Sequence, residues 1–140
     1  MTIDIKIIHP MDFVRTTADG KLDLALCKRI LCETARAIKQ SGDAHVLIDV
    51  RNADSLLGTL DLYELGQAFV KVPPLRDART AVLTRRQQVD NAEFAALVAH
   101  NRGAQELRVF SGFEEAIDWL NGTEISKLPQ SDLSAEQEIR

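Results

Sequence analysis

The stretch "RVFSGFEEAIDWL", Arg108 to Leu120, decides how the rest of the chain is read. A short apolar strand passes through Ser111 and Gly112 into an amphipathic helix. Phe113, Ala116, Ile117 and Leu120 recur at i, i+3, i+4 and i+7, so they share one face of a 3.6-residue spiral. Ser111 is the expected N-cap. Glu114, three residues on, would complete a capping box. Glu115 and Asp118 add negative charge, and Asn121-Gly122 stops the helix. Trp119 falls at the border of the stripe, where it would cover a seam.

Upstream, helices and strands continue to alternate, with no internal sequence repeat. "VDNAEFAALVAHNRG" predicts a helix with Phe94, Leu97 and Val98 inward and Gly103 as its stop. "RTAVLT" predicts a strand, Thr80 to Thr84. "GTLDLYELGQAFVKVPP" predicts a helix that buries Leu62, Leu65 and Phe69 and ends at Pro73-Pro74. In "HVLIDVRNAD" the run Val46, Leu47, Ile48 is interrupted by Asp49 and resumed by Val50, the pattern of a strand buried on both faces. "KLDLALCKRILCETARAIKQSG" predicts a long helix with Leu24, Cys27, Leu31 and Ile38 on one face and Ile30 and Ala35 beside them. Asp23 near its start, Lys39 near its end and Gly42 beyond it suit the helix dipole and a glycine stop. The chain opens with "IDIKIIHPMDFVRTTADGK", an antiparallel pair of strands turned at "HPMD" and closed by Asp19-Gly20.

These elements predict an α/β fold: one mixed sheet of about five strands, with about four helices packed on it and right-handed crossovers. The domain spans 1–122. Residues 123–140 form a polar tail with a short helix expected after Ser134.

Bulk composition fits one globular domain. The chain has 140 residues, 45% apolar and 27% charged, with only 5% aromatic, so Leu, Ile, Val and Ala must build the core. A net charge of −4 argues against general nucleic-acid binding, which needs surplus Lys and Arg to replace phosphate counterions. No apolar run approaches the ~20 residues of a membrane span, and the N-terminus lacks a signal peptide's pattern. A cytoplasmic location is expected. Cys27 and Cys32 lie roughly 140° apart around a helix. They are expected as two reduced, mostly buried thiols.

The order of elements resembles STAS-domain proteins, and more narrowly their SpoIIAA-like branch, small proteins related to anti-sigma-factor antagonists. "HVLIDVR", "RTAVLT" and "LRVFSGFEEAIDWL" carry the resemblance, over about residues 3 to 122. It implies a non-enzymatic regulatory module that acts on a protein partner or on itself as a homodimer. In that family a serine opens the helix after the strand matching "VLIDV" and is phosphorylated, within an Asp-Ser-Ser-Gly pattern. Here the position falls near Gly58 and Thr59, in "SLLGTLD", and the pattern is absent. Thr59 reads as a helix N-cap rather than a phosphorylation site. The implied interaction surface is Asp54, Ser55, Thr59 and Tyr63. Tyr63 is either an exposed anchor or a partly buried ring with a wet hydroxyl.

Ligands of open parallel sheets collect beyond the strands' carboxyl ends. Those ends carry Asp49, Arg51, Asn52 and Asp54, then Thr84, Arg85 and Arg86, then Ser111 and Gly112. Arg85, Arg86 and the helix start at Gly112 would suit an anion. Otherwise Asp49 pairs with an arginine such as Arg51 or Arg85 and merely closes the rim. A second ligand expectation is apolar, held between sheet and helices as in related lipid-transfer folds. The "VKVPPLRDAR" loop reads as a rigid connector. His9, His45 and His100 are scattered, and no metal, nucleotide or nucleophile-elbow motif appears. No cofactor and no catalytic residue are expected.

Overall fold

The computed structural model describes residues 2–8, 13–42 and 45–122. The "HPMD" turn, the tail and its expected helix lie outside these residues. Five strands form one sheet in chain order: β1 (Thr2–Ile8), β2 (Phe13–Leu22), β3 (His45–Ser55), β4 (Arg79–Leu83) and β5 (Glu106–Phe110). β1 and β2 pair antiparallel; the other neighbours are parallel. This is the expected mixed sheet. β2 does not close at Asp19-Gly20 but runs on to Leu22, because a register shift between Thr17 and Asp19 lets it stay paired with β3.

The helices are α1 (Leu24–Ser41), α2 (Thr59–Val70), the single turn α3 (Pro73–Arg76), α4 (Val89–Asn101) and α5 (Phe113–Asn121). When each crossover advances by one strand in the same direction, the connecting helices share one face. Accordingly α1 to α4 pack together on one side, over Val14, Val46, Ile48 and Leu107. α5 alone covers the other side, where Ala116, Ile117, Trp119 and Leu120 meet Phe13, Leu47, Ala81 and Leu83.

Local chemistry sets the helix ends. The Asp23 carboxylate accepts from the Leu26 amide at 2.8 Å, and Gly42, at φ 77°, donates to the Ile38 carbonyl at 2.8 Å. Leu24 stands at the margin of the stripe it was expected to join, half-buried, while Leu26 is buried. Two cap expectations are corrected. α2 is capped by Gly58, with Thr59 its first residue and Asp61 accepting from the Gly58 amide at 3.1 Å. α5 is capped by Gly112, not Ser111. There Glu115 folds back so far that a Cβ on Gly112 would lie 2.8 Å from its Oε1, so Glu115 and Glu114 complement the helix dipole in place of a hydroxyl cap.

The proline loop, expected as a rigid connector, contains a single helical turn. Pro73 begins α3, where its missing N–H costs nothing, and Leu75 plugs into the core with no exposed surface.

Candidate functional site

α4 presents an unexpected face. Val98 is buried as expected, but Phe94 is 37% and Leu97 55% exposed. The inward stripe is Ala92, Ala95, Ala96 and Ala99, again at i, i+3, i+4 and i+7. Small side chains bring two things. At Gly66, α2 crosses α4 so closely that a Cβ would sit 2.5 Å from the Ala95 carbonyl and 2.7 Å from Val98 Cβ. Below the alanines the sheet is not fully covered: Val82 and Val109, paired neighbours on β4 and β5, are only half-buried despite lying on the helical side.

The result is a cavity of about 140 Å³ between the sheet and helices α1, α2 and α4. Ile48, Val82 and Val109 floor it; Leu62, Phe69 and the α4 alanines roof it. Ser55, Thr84, Gln88 and Asn91 line it too, and all four lie beyond or near the carboxyl ends of β3 and β4. Cys27 also lines it. Burial first, then the charges of Asp23 and Asp61, pushes that thiol up to about 11, so it is protonated at neutral pH. Cys32, expected to be mostly buried, is exposed in a separate surface cleft between α1 and α2 beside Lys28, Glu64 and Lys71. Its helix turns it away from the core, which Cys27 faces.

The sequence-derived rim residues fall into two groups. Asp49 and Arg51 lie on the α5 face of β3. Asp49 is 4% exposed, and its Oδ1 accepts from Arg51 N at 3.1 Å and Nε at 3.0 Å. Oδ2 accepts from Arg51 Nη2 at 2.9 Å and from Arg15 Nη2 at 3.3 Å. Both guanidinium groups stand over the Phe113 ring, at 5.4 and 5.7 Å from its centroid. Burial works to raise the Asp49 pKa, but the hydrogen bonds and charge of Arg51, with Arg15, outweigh it and hold the carboxyl below its ordinary value. Arg15 was not foreseen; the β2–β3 register is what places it, with Arg15 opposite Leu47.

Arg85 belongs elsewhere. Its Nη2 donates to the Ala53 carbonyl at 2.5 Å and to Asp54 Oδ1 at 2.7 Å. Arg86 sits exposed in a 3₁₀ turn, and Ser111 is exposed after β5. No hydrogen bond or ion pair among the described residues joins Arg85, Arg86 or Ser111 to Asp49. Ser55 is half-buried, its hydroxyl accepting from the Leu57 amide at 3.2 Å. Tyr63 is 40% exposed and its hydroxyl accepts from Arg102 at 2.7 Å, so of the two readings the exposed ring is observed. Among the described residues no cluster of His, Cys, Asp and Glu is placed to hold a metal ion, and no helix is long and apolar enough to cross a membrane.

The architecture is a SpoIIAA-like α/β fold. A solved structure it resembles is an uncharacterized protein of the DUF3478 family with a SpoIIAA-like fold, from Shewanella loihica PV-4. That protein is 22% identical, with a TM-score of 0.50 over 85% of this chain and 92% of that one. No family model and no curated protein matches the sequence.

Proposed function

We propose that this chain is a non-enzymatic binding module that holds a small apolar molecule between its sheet and helices. The cavity carries this reading. Its floor and roof are apolar, and its volume, in a space partly open to solvent, is close to the ~150 Å³ of an enclosed engineered cavity that binds benzene. The anion reading of the rim has less support, because Arg85 is occupied by Asp54 and Ala53, and Arg51 by Asp49.

The test is a toluene titration followed in amide ¹H–¹⁵N spectra. Saturable shifts at Val82, Ala95, Ala96 and Leu107 are expected, together with a raised melting temperature. A titration that moves none of these amides removes the reading.

A second reading, contact with a protein partner or a second copy, is favoured by one observation: Leu56 and Leu60 are 59% and 82% exposed beside Tyr63. Patches of this kind mark interaction surfaces when they are contiguous. Sedimentation at rising concentration tests the self-association arm. A dimer that Leu60→Asp dissociates would support it, and a monomer throughout would leave only a foreign partner.

A further inference from the structure

The lining of the cavity also restricts the chemistry of what enters it. No Asp, Glu, Lys, Arg or His contributes to its wall. Its one ionisable side chain, Cys27, is a protonated thiol at neutral pH. The wall is almost wholly apolar, and its few polar side chains, Ser55, Thr84, Gln88 and Asn91, are neutral and lie at or just beyond the carboxyl ends of β3 and β4. Thr84 is 3% exposed, and the Gln88 Oε1 accepts from Asn91 Nδ2 at 3.1 Å.

Resting on the proposed apolar site, we infer that its ligand is an uncharged molecule with an apolar body and a single neutral polar end, such as an alcohol or amide, seated against Thr84, Gln88 and Asn91. A charged head has nothing to pair with there. Burying an unpaired ion costs far more than burying a hydroxyl that finds a partner. The guanidinium next in sequence, Arg85, is turned to Asp54 and Ala53. The amino end of α4 lies nearby, but Asp90 in its first turn already complements the helix dipole and would repel an anion.

Three probes of near-equal size separate the possibilities: benzyl alcohol, benzoate and benzylamine, with toluene as the reference that lacks a head. All are titrated at pH 7 against the full chain in amide spectra. Benzyl alcohol is expected to bind about 3- to 10-fold more tightly than toluene, the worth of one hydrogen bond. Benzoate and benzylamine are expected about 10-fold or more weaker than the alcohol.

The change Gln88→Leu, alone and with the near-isosteric Thr84→Val, should bring the alcohol down to the level of toluene. Benzoate or benzylamine binding as tightly as the alcohol at Val82 and Ala95 would overturn the neutral-head inference and leave the apolar site standing. An alcohol advantage that survives both substitutions would overturn the placement of the head. Failure of all four probes would remove the apolar site itself, and this inference with it.

Discussion

Replacing Ala96 by leucine should make the protein more stable and abolish toluene binding. Ala96 lines the cavity from α4. Leucine adds three carbon groups, about 80 Å³ if each takes slightly less than the ~30 Å³ of a water molecule in the liquid. That fits within the cavity of about 140 Å³, so overpacking is avoided. Three buried carbon groups at about 0.8 kcal/mol each contribute about 2.4 kcal/mol. Fixing the new side chain costs about 0.5–1 kcal/mol, which leaves a net gain of about 1.5 kcal/mol. For a domain of this size that is a melting temperature higher by about 5 °C. The assays are thermal unfolding and the toluene titration on the same variant. Destabilisation by 1–3 kcal/mol, the usual mark of overpacking, would mean that the space is not there. A stabilised variant that still binds toluene with wild-type affinity would place the ligand elsewhere. The outer-face control is Leu97→Ala, expected to cost little, since Leu97 is 55% exposed.

Four further outcomes follow from the same structure. Gly66→Ala should cost about 1–3 kcal/mol in urea unfolding, because its methyl would press on Ala95 and Val98 and drive α2 from α4. Thr34→Val should cost about 1–3 kcal/mol by orphaning the buried Thr16 hydroxyl it meets at 2.8 Å, whereas the Thr16→Val, Thr34→Val double variant should be close to wild type. Arg79→Ala should cost about 2–3 kcal/mol, since its guanidinium lies 4.0 Å over Trp119, donates to the Trp119 carbonyl and pairs with Glu106; Arg76→Ala, whose pair with Asp77 is exposed, should leave the melting temperature unchanged. Because Asp49 has a lowered pKa in the folded state, its contribution is complete above the unfolded value of about 3.9 and is lost as pH falls through the folded one. Asp49→Asn should therefore lower stability at pH 7 and flatten its decline between about pH 5 and pH 2, as read by urea midpoints.

The strands and the lengths of the helices were legible because their periods differ: two residues for β1, where Ile3, Ile5 and Ile7 alternate with polar residues, 3.6 for α1 and α5, and an unbroken apolar run for β3. The inward face of α4 was not. Phe94, Leu97 and Val98 form one apolar stripe, and Ala92, Ala95, Ala96 and Ala99 form another turned around the helix from it. Ranking by side-chain size selects the first. Helix packing selected the second, since Gly66 of α2 leaves room for close approach only opposite small residues. A glycine within α2 facing an alanine-rich α4 was the available signal. The candidate rim divides for a different reason, with Asp49 paired to Arg51 as the second reading of the rim had it. Sequence places Asp49, Arg85 and Ser111 after successive strands, yet strand faces alternate: Asp49 points to α5 with Leu47, while Arg85 follows the strand end and turns to Ala53 and Asp54. The partner that completes the Asp49 cluster, Arg15, comes from β2 and depends on a register that no local pattern fixes.

The α4 face bears on function because of what it costs. At about 24 cal/mol per Å³, a sealed void of 140 Å³ would leave about 3 kcal/mol of stability unrealised; this cavity is partly open to solvent, so that figure is an upper bound. Even a fraction of that bound counts against the 5–15 kcal/mol by which a domain of this kind exceeds its unfolded state. The same helix carries a phenylalanine and a leucine outward, so apolar bulk is present but directed away from the space. Proteins need not sit at their stability optimum, and an idle void can persist. An idle void, however, has no need of a polar end. Here the hydrogen-bonding side chains gather where parallel sheets open toward solvent, and the far wall is aliphatic apart from the Cys27 thiol. A ligand that fills the aliphatic part and meets the polar end would recover the missing stability as binding energy. That couples occupancy of the cavity to the packing of α2 against α4, the helix pair that also carries the exposed Leu60 and Tyr63.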